Sequence, residues 1–404
     1  MGTKCAPPRR ARFLRQRERI LDAATMLLNE KGVRGMTLLD VAQALDLKTT
    51  SVTYYLRYKE ELAAAVLEDS IAGLEAMARE AAALDTPRAR VQRYVELYFD
   101  RYARSLRGQI RPLAILSEIR ALEGNIRERL NVQYQGVFRL VRSFFGTPGD
   151  ERQKRVFEVR TQILNEALFW SVIWLKHYMI SDYRNVGRRL FAILNQGIVR
   201  SPLPWYSSLV ELQDPAPEAV DRSAFLRVAT RLINEIGYRG ASIDRITSEL
   251  NVTRGSFYHH VDTKEDLVLE CSRVSYRRLG RLQSLARQQH GSGWRSLASV
   301  VVSAITVQLY DQYPFLRSTA LQAIPGSLRE IALEQANRTS LWLSGALVDA
   351  MQEGSVRIID PLIASHIIMA AVNSAYDMRH WARRQAREAS IETYAASLFC
   401  GLFA

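Results

Sequence analysis

The chain has 404 residues, of which 48% are hydrophobic and 24% charged, and a formal net charge of +13. That length is too great for one ordinary core and fits two to four domains of roughly 100–200 residues. The basic excess favours a polyanionic partner, either nucleic acid or an anionic membrane surface. Cys5, Cys271 and Cys400 stand far apart with no C-x-x-C pair, which argues against a disulfide framework or a zinc site, so no metal or cofactor is expected. The N-terminus lacks the apolar core of a signal peptide. The most apolar stretch, residues 167–175, is interrupted by Ser171 and falls short of the roughly 20 residues that span a bilayer. A cytoplasmic chain with no membrane partner is the expectation.

In chain order, the first predicted element is a helix over residues 15–31, with Ile20, Ala23, Ala24, Leu27 and Leu28 on one face. Gly32 stands where such a helix stops. Thr37 is an N-cap candidate for a short helix running to Leu45, Asp46 makes a turn, and residues 48–55 form a second short helix. Lys59 opens a long helix. Long amphipathic stretches follow, carrying Tyr134, Phe138, Phe144, Phe145, Phe169, Trp170, Trp174 and Tyr178. Pro202, Pro204, Pro215 and Pro217 mark residues 201–222 as a connector, since proline does not sustain a helix interior. The pattern then recurs: Gly237, the N-cap candidate Ser242, the turn at Asn251, a short helix over 253–260, and a long helix from Lys264. No run alternates with period two over strand length, so the fold class is all-α.

The recurrence is an internal duplication. Residues 21–62 fall on 226–267 without a gap, with identities that include Leu21/Leu226, Asn29/Asn234, Gly32/Gly237, Gly35/Gly240, Ser51/Ser256 and Lys59/Lys264. The segment 191–198 echoes 395–402 in the same way. Each half is therefore a complete unit of about 200 residues. The domains read as 1–62 (a basic arm and a first head), 63–200 (a helical domain), 201–222 (a linker), 223–267 (a second head) and 268–404 (a second helical domain).

Each pair of short helices has the design of a helix-turn-helix. Val41 and Leu45 brace Leu47 and Val52; Ile246 and Leu250 brace Val252 and Phe257. The second helix of each pair is left to present polar and aromatic side chains to a groove. On these residues, and above all on NVTRGSFYHHVDTKEDL (251–267) and its variant LKTTSVTYYLRYKEEL (47–62), the sequence resembles the TetR family of bacterial regulators. The resemblance implies two tandem units, each a DNA-binding head followed by a ligand-binding and dimerisation domain. It implies DNA contacts at Lys48, Thr49, Thr50, Ser51, Thr53, Tyr54 and Lys59, and at Thr253, Arg254, Gly255, Ser256, Tyr258, His259 and Lys264. The lysines, each at a helix start, are suited to phosphates. The heads differ: the second keeps Gly255 and Tyr258 where the first has Thr50 and Thr53, so they read different half-sites or one of them binds weakly. A basic lead that includes Arg9, Arg10 and Arg12 precedes only the first head, as a minor-groove arm or a solubilising tail.

The resemblance also implies a small-molecule effector, with pocket candidates Tyr134, Phe138, Trp170 and Trp174 in the first half and Trp342, Tyr376 and His380 in the second. Ordinary core is the competing reading for each of them. The closing helices of the two halves are expected to pair within one chain, as a pseudo-dimer on an operator, with a homodimer of whole chains as the alternative. The expected function is thus a ligand-responsive transcriptional regulator, by default a repressor. The alternative is an adaptor in which one head has lost DNA. No G-x-S-x-G, H-E-x-x-H, phosphate loop or dinucleotide fingerprint is present, so no enzyme is expected.

Overall fold

Helices form where the sequence carries a 3.6-residue apolar period, and they end at glycines or capped polar turns. The computed structural model describes residues 9–200, 209–212, 221–291, 293–317 and 326–404. The first repeat contributes α1 (Arg9–Gly35), α2 (Leu38–Ala44), α3 (Thr49–Thr53), α4 (Lys59–Ala82), α5 (Pro87–Leu106), α6 (Gly124–Arg142), α7 (Glu151–Trp174) and α8 (Tyr183–Gln196). The second contributes α9 (Arg222–Gly240), α10 (Ile243–Glu249), α11 (Arg254–His260), α12 (Lys264–His290), α13 (Trp294–Tyr310), α14 (Gly326–Gln352), α15 (Pro361–Ala375), α16 (Arg379–Ala382) and α17 (Arg387–Phe399). The fold is all-α. Among the described residues the only β pairing is one antiparallel bridge, Val199 to Val356. No described helix is long and apolar enough to cross a membrane. Most of the predicted connector, 201–222, lies outside the described residues; within it, the Val210 amide donates to Ser303 Oγ at 2.9 Å.

The chain gathers into two compact units, residues 1–76 with 104–137, and residues 77–103 with 138–404. These units do not follow the repeat boundary. The second unit takes in the closing helices of the first repeat because α7 packs on α15 and α17, and α8 packs on α15. Trp174 of α7 stacks flat on His366 of α15, with ring centroids 5.1 Å apart. Burial pushes the His366 imidazole down to about 3, so it is neutral and packs as an aromatic. The closing segments of the two repeats are stitched reciprocally: the Ile198 amide donates to Phe399 O at 2.7 Å, and the Leu402 amide donates to Leu194 O at 2.7 Å.

In both repeats an asparagine ties the head to the body. In the first unit Asn29 of α1 donates to Leu113 O at 3.0 Å and accepts from the Ile115 amide at 2.9 Å, while Ser70 Oγ accepts from the Ala114 amide at 2.8 Å. In the second unit Asn234 of α9 donates to Phe315 O at 2.9 Å and accepts from the Arg317 amide at 3.0 Å, while Ser275 Oγ accepts from the Leu316 amide at 2.8 Å. A loop with no helical partner for its amides is thereby satisfied by side chains.

Candidate nucleic-acid interface

The first head is built on capped turns. Thr37 accepts from the Asp40 amide and Asp40 accepts from the Thr37 amide, the reciprocal box that starts α2. The Thr37 and Lys31 side chains hold the Asp40 carboxyl below its usual range. Between α2 and α3, Asp46 takes a left-handed backbone conformation (φ 54°); between α10 and α11, Asn251 does the same (φ 54°). Aspartate and asparagine are the non-glycine residues that tolerate this region best. In the second head Ser242 caps α10 through the Arg245 amide, and Thr253 caps α11 through the Ser256 amide.

These turns fix which side chains face inward. Val52 of α3 and Phe257 of α11 are fully buried. Phe257 sits in a core with Phe225, Leu226, Ile246 and Leu267. The opposite face of each helix is open: Tyr54 is 74% exposed and Tyr258 is 53% exposed. In the first head Lys48 and Thr50 are exposed, while Thr49, Ser51, Thr53 and Lys59 are half-buried. In the second head Thr253, Arg254, Gly255 and His259 are exposed, and Ser256 and Lys264 half-buried. The expected residues thus lie on or beside one exposed helix in each head. Lys59 begins α4 and donates to Arg34 O at 3.4 Å; Lys264 begins α12 and lies over the Tyr238 ring at 4.5 Å. Each lysine therefore sits at a helix start, where free amides and an ammonium can meet a phosphate together.

Three features were not legible in the sequence. Arg254, expected to contact DNA, forks onto the Asp244 carboxylate; that hydrogen bond holds Asp244 below its usual range and raises Arg254. The basic lead is helical where it is described: α1 runs from Arg9, with Arg10 and Arg12 exposed. Arginine, leucine and alanine are good helix formers, so the apolar period seen from residue 15 extends backward. Phe13 of this lead packs on Tyr55 at 4.6 Å and edge-on to Tyr54 at 6.1 Å, which ties the lead to the exposed helix. The third is a length difference: α3 has 5 residues and α11 has 7.

The effector-pocket candidates separate. A cavity of about 70 Å³ lies in the second repeat, and Trp342 lines it together with Tyr276, Gln308, Phe315 and Asn373. Tyr376 and His380 do not line this cavity. Trp170 and Trp174 are buried among helices, and Tyr134 and Phe138 are half-buried on α6. Of these rings Trp174 has a packing role, stacked on His366.

The sequence model described as "Bacterial regulatory proteins, tetR family" matches this chain twice, at residues 20–66 and 225–271. The regulator named HTH-type transcriptional regulator BetI, from Burkholderia mallei (strain NCTC 10229) and from Burkholderia pseudomallei (strain K96243), is 36% identical over 87 residues, 21% of this chain and 45% of the relative. The chain thus spans less than half the length of these curated relatives. Among solved structures, apo AibR is 20% identical, with a TM-score of 0.37 over 45% of this chain and 99% of that one. The TetR family regulator PfmR from Thermus thermophilus is 19% identical, with a TM-score of 0.35 over 43% of this chain and 96% of that one.

Proposed function

We propose that the chain is a member of the TetR family of bacterial regulatory proteins, whose N-terminal domain model it matches twice, and that it is a DNA-binding transcriptional regulator whose two unlike heads read the two halves of one operator. The observation that carries this reading is the matched pair of exposed second helices. In each, one fully buried residue (Val52, Phe257) fixes the register and an exposed tyrosine stands on the open face. A recognition helix of a helix-turn-helix needs this arrangement to enter a major groove. The net charge of +13 over the whole chain favours a polyanionic partner.

The same reading makes the chain a covalent pseudo-dimer. Its support is the pairing of α7 and α8 with α15 and α17, closed by the reciprocal hydrogen bonds at 198–199 and 402. Repression with release by a small molecule is the mode of action proposed, and the cavity beside Trp342 is its support. A ligand with unequal affinity for the DNA-competent and incompetent states would shift their populations by that difference. Two observations favour a second reading, in which the first head docks a partner other than DNA: the shorter α3, and the Thr53 in place of the tyrosine found at 258.

Capture of genomic fragments on the purified chain, at fixed salt and with single-head variants, tests the proposal. Tyr54→Ala and Tyr258→Ala should each weaken binding to captured fragments at one half-site. Affinity that falls steeply with added salt is expected from the phosphate contacts. A Tyr54→Ala chain with unchanged affinity at every fragment would favour the second reading. A failure to capture any fragment would overturn the regulator.

A further inference from the structure

We infer that the cavity of the second repeat takes an uncharged, largely apolar molecule with one hydrogen-bond acceptor held at Gln308, and that the second head reads its occupancy through Asn234. This inference rests on the regulator reading above and adds the chemistry of the ligand and the route by which it acts.

The lining defines the ligand. Among the described residues no charged side chain lines the cavity; its walls include Leu279, Val300, Ile368 and Trp342. Arg278 lies over Phe315 at 5.1 Å and Arg287 over Trp342 at 5.9 Å, both outside the lining, so a charged ligand would find no counter-charge in direct contact, at heavy cost. Gln308 is 0% exposed. Its Oε1 accepts from the Phe315 amide at 3.1 Å, and its Nε2, in the same buried amide, has no partner. An unmade buried donor is expensive, and a carbonyl, ether or hydroxyl oxygen in the cavity would satisfy it. A volume of about 70 Å³ would hold several waters at roughly 10–15 Å³ each, so a small ring or short chain is the size that fits.

The route is written in shared residues. Ser275, Phe315 and Leu316 line the cavity. The same three carry the clamp on the head: Leu316 N donates to Ser275 Oγ at 2.8 Å, and Phe315 O accepts from Asn234 Nδ2 at 2.9 Å. The far end of this segment is held as well. Arg317 pairs with Asp377 at 2.8 Å, and Arg379 Nε donates to Gln308 O at 2.7 Å. Phe315, Leu316 and Arg317 thus join the cavity wall to Asn234 of α9, so a ligand that displaced this wall would strain the clamp on the head.

The test uses the full chain labelled with 5-fluorotryptophan, the Trp342 resonance being assigned with Trp342→Phe. Cyclohexanone is the probe, methylcyclohexane lacks the acceptor, and cyclohexanecarboxylate and cyclohexylammonium carry charge. Cyclohexanone should shift the Trp342 resonance saturably and bind about five- to tenfold more tightly than methylcyclohexane, the usual worth of one hydrogen bond. Gln308→Met should abolish that advantage, and Ala304→Leu, which fills the cavity, should weaken both probes. Charged analogues that bind as well, or an acceptor that brings no advantage in the unaltered chain, would overturn the ligand class. Saturating cyclohexanone should change hydrogen exchange at the Arg317 amide and change DNA affinity. Asn234→Ala should cancel the effect on DNA, while Asn29→Ala should leave it. Binding with Arg317 exchange unaltered would overturn the route. A chain that bound no DNA would fail the regulator reading, whereas the Trp342 and Arg317 readouts would still decide this one.

Discussion

Gly197 and Gly401, at matching positions of the two repeats, meet backbone to backbone. Both have positive φ, 76° and 94°. A Cβ on Gly197 would overlap the carbonyls of Phe399 and Cys400; one on Gly401 would stand 2.6 Å from the Gly197 nitrogen. The contact brings together equivalent residues of two copies of one sequence, as self-complementary interfaces do about a two-fold axis. Gly197→Ala or Gly401→Ala should each cost about 2–4 kcal/mol, from the left-handed backbone and the overlap together. The double variant should cost less than their sum, because both open the same contact. Urea unfolding of the full chain checks this, and strict additivity would mean that the two glycines act separately.

A second prediction concerns the turns within the heads. Asp46 and Asn251 share φ 54°, and neither is glycine. Asp46→Ala and Asn251→Ala should each destabilise their head by about 1 kcal/mol, since alanine lacks the local hydrogen bonding that eases this conformation. Asp46→Gly and Asn251→Gly should lie within about 1 kcal/mol of the unaltered chain. Hydrogen exchange in α1 and α9 reports each head on its own.

Arg254 must leave Asp244 before it can reach a base. Both groups lie on the surface, so Asp244→Asn should leave stability nearly unchanged. DNA affinity at the half-site read by the second head should rise. The carboxyl of Asp244 lies below its usual range, so its pairing is complete above the ordinary carboxylate pKa and is lost as pH falls through the lowered value. Affinity measured from pH 6 to 8 should therefore show no step that Asp244→Asn removes.

Buried and exposed members of the same short helix should separate stability from binding. Phe257→Ala should cost about 3–5 kcal/mol and Val52→Ala about 1–3 kcal/mol, through lost core volume. Tyr54→Ala and Tyr258→Ala should stay within about 0.5 kcal/mol, as exposed positions do. The tyrosine variants should nonetheless lose DNA affinity. Thermal melts set beside anisotropy titrations would show whether the loss follows folding or the exposed face.

The helices, their caps and the turn residues were legible because each is decided within a few neighbours. Thr37, Ser242, Asp46 and Asn251 all occupy the positions that their local chemistry demands. The duplication was legible because two copies retain the same residues in the same register. What joins distant segments was not. Asn29/Asn234 stood out as an identity, yet nothing in a sequence says that their amides clamp loops more than 80 residues away. Aromatic density near Trp170 and Trp174 pointed to a pocket, but rings also gather wherever helices are buried, and Trp174 serves the packing of α7 on α15. Gln308 became visible only once its unpaired Nε2 was placed beside a cavity.

Whether one chain carries two working heads of unlike specificity is decided by selecting bound DNA from a random library on the purified 46.0 kDa chain and weighing the resulting complex in the same buffer. Two unlike heads should enrich a site with two unlike halves, bound by a single chain. A perfect palindrome holding two chains would be the opposite result, because each chain would then be reading with one head alone.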